Sequence, residues 1–285
     1  MTLPAARQSF DVADSLPRIE LPMARSFPQA CGLDLPVVVI NLAHRHDRWD
    51  AISRRLSAAG LGNLLKAPAV EGARLSDATI AHCLGPSQRM PDGAPDSHLA
   101  LTRPAIGCFL SHLAVWRWVI ASGVPRALVL EDDACPTPDY AADDFRAFVM
   151  GLTPQHQLVF PGCLVMEGLA DLPSGSDRLA QLHYFNGTFS YLITPAACRF
   201  LLARMFPLRA HIDHQLSSLF VEYRAQFRAY YATPQFFAPD WSLRSDCYVP
   251  LKDIGSADKE LGDLLRATRQ MLMAEGHRLL PLAAP

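Results

Sequence analysis

Three consecutive carboxylates, Glu131, Asp132 and Asp133, close the apolar run Ala127–Leu130. Like charges crowded this way repel one another unless a cation absorbs them. Side chains on an extended segment alternate faces, so Glu131 and Asp133 point one way and Asp132 the other. An acid-x-acid pair at the carboxyl end of a buried strand sits where open α/β sheets form their ligand crevices. Its oxygen donors suit Mg²⁺ or Mn²⁺ bridged to phosphate. The same three residues also fit a solvated turn or a helix cap.

Three further groups carry chemistry. "INLAHRHDRWD" places Asn41, Leu42, His44, Arg45, Asp47 and Arg48 at a strand end, and an arginine fork before a helix start matches phosphate oxygens. An exposed, charged first helical turn has the same composition. "HIDHQL" sets Asp213 between His211 and His214. Such a carboxylate can act as a general base or, with an imidazole, hold a metal; it can also cap a helix. "FNGTFSYL" supplies Gly187, Thr188 and Ser190, small polar residues that let a sugar approach the backbone or form an ordinary turn.

The elements that must position these groups are legible in outline. "PVVVINL" is a continuous β-branched run of the kind buried on both faces of a sheet. Trp49, Ile52, Leu56 and Ala59 recur at helical spacing until Gly60. Residues 85–102 form a long Pro/Gly-rich loop, and "RPAIGCFLSHLAVWRWVIASG" a largely buried helix in which His112 is a hydrogen-bonded core residue. Strands follow at "RALVL", "QLVFPG", "FSYLI" and "FRAYYAT". Helices follow at "PAACRFLLARMF", with Thr194 as cap and Pro195 in the first turn, at "IDHQLSSLFVE", and at "DKELGDLLRATRQMLMAEG". The pattern is α/β.

Half of the 285 residues are apolar, enough for one large domain. Residues 1–35, with Pro4, Pro17, Pro22 and Pro28, read as an extended arm. Residues 36–285 read as a single domain: 36–135 a nucleotide-binding part, 136–250 an acceptor and catalytic part, 251–285 a C-terminal helix. With 26 basic and 28 acidic residues the net charge is -2, which gives no field for nucleic acid. No apolar stretch reaches the ~20 residues of a membrane helix and no signal pattern opens the chain. A cytoplasmic protein is expected, peripheral to a membrane surface at most. The seven scattered cysteines lack a C-x-x-C pair and read as reduced thiols.

Taken in order, these segments resemble glycosyltransferase family 25, which includes bacterial lipooligosaccharide galactosyltransferases and collagen galactosyltransferases. The matching residues are Ile40, Asn41, Leu42, Arg45, Asp47 and Arg48; Ile106, Gly107, Cys108, Ser111, His112 and Trp116; Leu128, Leu130 and Glu131 to Asp133; Gly187, Thr188 and Tyr191; and Asp213 with His214. The resemblance runs from about residue 36 to 246. Ala105 departs from it, standing where the family has glutamate, and so does Pro104, where it has glycine.

The resemblance implies a GT-A-like fold, with a mixed, mostly parallel sheet flanked by helices, and an inverting transfer of a hexose, galactose from UDP-galactose first. The acceptor would be a glycan or glycolipid such as lipopolysaccharide. It implies Mn²⁺ or Mg²⁺ on Asp133, with Glu131 at the metal's water shell or the ribose and His214 as a further ligand. Asn41, Leu42, Arg45, Arg48, Glu131 and Asp132 would hold the nucleotide sugar, Asp213 would be the base, and Gly187, Thr188 and Ser190 would meet the sugar or acceptor. Two rivals remain: a non-catalytic binding member of the same fold, suggested by Ala105, and an iron and 2-oxoglutarate oxygenase using His211, Asp213 and His277.

Overall fold

The computed structural model describes residues 33–62, 64–85, 100–166, 168–172, 178–243, 245–247 and 257–281. The expected N-terminal arm and the centre of the 85–102 loop therefore lie largely outside the described residues.

β1 (Val37–Asn41) is buried at every position, as its unbroken apolar run requires. α1 (His46–Ala58) follows and turns Arg48, Ile52 and Leu56 inward at four-residue steps. β2 (Leu64–Pro68), a short 3-10 turn at Gly72–Arg74 and α2 (Asp77–Leu84) lead to α3 (Arg103–Ser122). Thr102 caps α3 by accepting from the Ala105 amide, and Gly123 ends it with φ 70°. α3 is long and apolar enough to cross a membrane, yet 72% of its most apolar window is buried inside this fold.

β3 (Ala127–Glu131) and β4 (Ala134–Pro136) flank the acidic triplet; α4 (Ala142–Met150), β5 (Leu158–Val165) and β6 (Leu179–Leu182) come next. They are followed by β7 (Phe185–Ile193), α5 (Pro195–Leu202), α6 (Ile212–Glu222), β8 (Ala229–Ala232), β9 (Phe237–Pro239) and α7 (Ala257–Ala274). α5 stops earlier than its sequence pattern suggests, and β7 starts at Phe185, so Gly187, Thr188 and Ser190 lie within a strand rather than in a turn before one.

The main sheet has seven strands in the order β2-β1-β3-β7-β5-β8-β6. β2, β1, β3, β5 and β8 run in one direction and β7 and β6 oppose them, so the sheet is mixed and mostly parallel. β4 and β9 form a separate two-stranded ribbon. Successive residues of β3 feed opposite cores: Ala127 and Val129 join the one built around α3, α5 and α6, while Leu128 and Leu130 join the one beside α1 and α4. Helices thus cover both faces, which is the α/β architecture the sequence implies.

Candidate active site

Ile40 pairs with Glu131 in the parallel β1–β3 ladder, which brings Asn41 and the acidic triplet to the same end of the sheet. Asp132 and Asp133 form the turn between β3 and β4, and the Asp132 carboxylate is drawn toward β1 and α1. Its Oδ2 accepts from Asn41 Nδ2 at 2.7 Å and its Oδ1 from Arg48 Nη1 at 2.8 Å. Asp132 and Arg48 are both buried. The signature after β1 therefore works here as a brace: Asn41 and Arg48 hold the middle carboxylate.

Glu131 and Asp133 face two cavities that share them as a common wall. The first, about 230 Å³, runs between the ends of β1 and β3 and the Gly72–Arg74 turn, with Asn41, Leu42, His44, Arg48 and Ser111 in its lining. The second, about 200 Å³, is lined by Ala105, Gly187, Thr188, His211, Asp213 and Trp241. Cys108, Ser245 and Cys247 border both.

Glu131 is held from behind by a buried polar chain. Trp116 Nε1 donates to the Tyr191 hydroxyl at 2.9 Å, and that hydroxyl lies 2.8 Å from His112 Nδ1. Because indole can only donate, the hydroxyl hydrogen is left for Nδ1 and the imidazole proton sits on Nε2. Nε2 lies 3.3 Å from Glu131 Oε1, and Thr188 Oγ1 donates to the same oxygen at 2.6 Å. Burial works against ionising Glu131, but His112, Thr188 and the Arg48 charge together hold its pKa below the ordinary value. His112 is fully buried, as expected of a core residue, and also orients an acid of the site.

Asp133 lacks such support. Its Oδ1 is buried without a partner, and its main-chain oxygen accepts from the Asp240 amide at 2.8 Å. Burial, with the charges of Glu131 and Asp132 adding to it, pushes its pKa up to about 7. A buried carboxylate with a free oxygen beside a second carboxylate is a donor set for a hard divalent ion.

Asp213 enters the second cavity at the first turn of α6. Its Oδ2 accepts from the Gly187 amide at 2.9 Å and its Oδ1 from the His214 amide at 2.9 Å. Gly187 has φ +78°, a conformation open to glycine, which turns its N–H toward Asp213. Two main-chain donors thus fix the carboxylate.

Several expected residues fall elsewhere. His214 is buried with Nδ1 2.7 Å from the Tyr184 hydroxyl and lines neither cavity, so it is no metal ligand here. Ser190 is buried in β7, donating to the Gly162 carbonyl at 3.2 Å, and lines neither cavity. Arg45 lies outside both linings: Nε and Nη2 bind Asp47, and Nη1 binds Asp246 at 2.5 and 2.6 Å. Arg48 is in the first lining, with its Nη1 held on Asp132 Oδ1. His277 lies beside Asp171 and not with His211 and Asp213, so the oxygenase ligand set does not assemble.

Sequence reasoning missed the 245–247 segment, Cys108, Ser111 and Trp241. Ser111 could have been found from its motif: its Oγ accepts from the Val70 amide at 2.8 Å, tying α3 to the first cavity's rim. Gly107 has a similar reason, since a Cβ there would come within 2.6 Å of Gly72 N and Val70 O. The six described cysteines are free thiols.

Fold and site together define an α/β protein whose carboxylate-bearing strand end separates two cavities. Residues 34–142 match the family model of glycosyltransferase family 25 (LPS biosynthesis protein), and the chain is similar to proteins of that family. It is 28% identical over 268 residues to a probable inactive glycosyltransferase 25 family member 3 of Bos taurus, covering 88% of this chain and 44% of that protein. Procollagen galactosyltransferase 2 of Homo sapiens is 36% identical over 107 residues, covering 38% of this chain and 17% of that protein. The chain spans less than half the length of these relatives. Among solved structures, apo mouse xyloside xylosyltransferase 1 aligns with a TM-score of 0.35 at 12% identity, over 68% of this chain and 83% of that one.

Proposed function

We propose that this protein is an inverting, metal-dependent glycosyltransferase that moves a hexose, galactose from UDP-galactose first, to a hydroxyl of a glycan or glycolipid such as lipopolysaccharide. The observation that carries this reading is the shared wall: Glu131 and Asp133 line both cavities, so a donor in one and an acceptor in the other would meet at the acidic pair. The first cavity, between β1 and β3, takes the nucleotide, with Asn41 and Leu42 in its wall. The second, with Asp213, takes the acceptor.

Asp133 and Glu131 fit a divalent ion, Mn²⁺ or Mg²⁺, by their donor type and by the unpartnered Oδ1 of Asp133. Bound there, the ion would neutralise charge developing on the departing diphosphate. Asp132 acts as a brace through Asn41 and Arg48. Asp213 accepts the acceptor hydroxyl's proton, held in place by the Gly187 and His214 amides. Gly187 and Thr188 shape the acceptor wall, with Thr188 also steadying Glu131. Under this reading the enzyme works in the cytoplasm, at the membrane's cytoplasmic face when the acceptor is a glycolipid.

A second reading is a binding protein without turnover. Ala105 lines the acceptor cavity at the position where the resemblance calls for glutamate, which leaves Asp213 with Glu131 and Asp133 as the carboxylates of that wall. Calorimetric titration with UDP, with and without Mn²⁺ and with GDP and CMP as controls, tests the main reading. Manganese-dependent UDP binding that Asp133→Ala abolishes, accompanied by turnover of UDP-galactose, is expected. Binding without any transfer or donor hydrolysis favours the second reading, and no nucleotide binding refutes the first and leaves glycan binding as the form of the second.

A further inference from the structure

Away from both cavities, three segments distant in sequence converge at the β6 edge of the sheet. Asp171 pairs with Leu279 in an isolated bridge, His183 leaves β6, and His277 follows α7. Asp171 Oδ1 lies 3.0 Å from His183 Nε2 and 3.1 Å from His277 Nδ1, and its Oδ2 lies 3.2 Å from the same Nδ1. The three donor atoms all fall within 4.8 Å of one another. The His183 side chain is 1% exposed, while Asp171 and His277 each keep about a fifth of their surface open to solvent.

We propose that Asp171, His183 and His277 bind a divalent transition metal ion, zinc, and that the ion clips the C-terminal segment to the sheet. The inference is independent of the glycosyltransferase reading. Two imidazoles and one carboxylate form a borderline donor set that suits zinc, whereas Mg²⁺ and Ca²⁺ prefer all-oxygen shells. Around a tetrahedral ion with bonds of about 2.0–2.1 Å the ligand atoms stand roughly 3.3 Å apart, close to the two carboxylate–imidazole separations already present. Water completes the fourth position from the open side of Asp171 and His277. In the metal-free arrangement each ring directs an N–H at Asp171; zinc takes the lone pair there, and each neutral ring carries its proton on its other nitrogen. For His183 that other nitrogen, Nδ1, is buried without a partner in either arrangement and favours neither.

The location gives such an ion a purpose. α7 packs through a small cluster whose buried members are Leu169, Tyr184 and Leu272. The chain beyond it is held by the Leu172 amide on the Arg278 carbonyl at 2.7 Å and the Leu280 amide on the Ala170 carbonyl at 2.8 Å. A core this small is where a metal adds order, and its three ligands tie residues 171, 183 and 277 into one unit.

The test titrates zinc into the metal-stripped full chain, in parallel with His277→Gln and Glu131→Gln. Wild type and Glu131→Gln should share one zinc-binding event that His277→Gln lacks. Zinc should slow amide exchange at residues 277–280 in wild type and not in His277→Gln, and Co²⁺ should give a visible ligand-field band that His277→Gln loses. His277 sits at the rim, so its replacement should leave the fold intact; His183→Gln repeats the test from the buried side. Equal zinc uptake by wild type and His277→Gln, or none by wild type, overturns the proposal and leaves a hydrogen-bonded triad.

Discussion

Replacing Asp133 with asparagine keeps the shape of the side chain and removes one of three crowded charges. The pKa of Asp133 is pushed from an ordinary 3.8 to about 7 by burial and by Glu131 and Asp132. At about 1.4 kcal/mol per tenfold, that gap caps the folding penalty of the ionised carboxylate at ~4 kcal/mol, and partial exposure and relaxation reduce it to roughly 2 kcal/mol. The sign follows from the raised value: the protonated folded state is favoured at low pH, and that stability is lost as pH rises from about 4 to about 7. In metal-free buffer Asp133→Asn should therefore match wild type near pH 4 and exceed it by ~2 kcal/mol at pH 8. Urea melts at several pH values, with and without Mn²⁺, measure this. Manganese should restore wild type at pH 8 and leave the variant unchanged. If the stability difference between the two proteins were flat from pH 4 to 8, or if manganese stabilised both equally, the acidic pair would not be a strained cation site.

Other perturbations follow from the same geometry. Tyr191→Phe strands Trp116 Nε1 and His112 Nδ1 in the core and should cost about 2–4 kcal/mol in urea melts. Gly107→Ala drives a Cβ into the backbone at Val70 and Gly72 and should cost about 1–3 kcal/mol, seen as a lower Tm with UDP binding weakened in parallel. Asp213→Asn keeps the Gly187 contact and should lower kcat by about 100-fold or more, as loss of a general base does, while leaving UDP affinity within about twofold; equal losses in both would reassign Asp213 to binding. Arg48→Lys cannot reproduce the planar guanidinium contact with Asp132 and should weaken Mn²⁺-dependent UDP binding more than Arg45→Lys does, because Arg45 lies outside both cavity linings.

How much of this was readable before the structure depends on what each residue answers to. The acidic triplet was legible as a site, but β3 ends at Glu131 and a turn carries Asp132 and Asp133, so Asn41 and Arg48, and not strand alternation, set the direction of Asp132. The buried runs of β1, β3 and α3 were legible as unbroken or largely unbroken apolar stretches. His214 was misassigned since sequence adjacency to Asp213 says nothing about which side of α6 a ring leaves, and its partner, Tyr184, is thirty positions away. Ser190 and Gly187 share a segment and part ways at a bulged β5–β7 pairing that only the fold shows. Arg45 and Arg48 look equivalent in sequence, yet one is buried against Asp132 and the other bridges Asp47 and Asp246. β2, α2, α4 and the β4–β9 ribbon carry short or mixed patterns whose hydrogen-bond partners lie far along the chain.

The motif residues share one task that their spacing hides. Asn41 and Arg48 hold Asp132 from the β1 side, while Trp116, Tyr191 and His112 hold Glu131 from α3 and β7. The two sets approach the triplet from opposite directions, and each ends on a carboxylate the other does not touch. Asp133 alone receives no side-chain donor in this scheme, and the cost of that omission is visible in its raised pKa. A fold that braces two acids and leaves the third strained between them has made the third the one a cation stabilises most. Manganese affinity should accordingly fall further with Asp133→Asn than with Asp132→Asn once the latter is corrected for its loss of stability. The reverse order would mean that the bracing of Asp132, and not the unbraced charge of Asp133, sets the site's affinity.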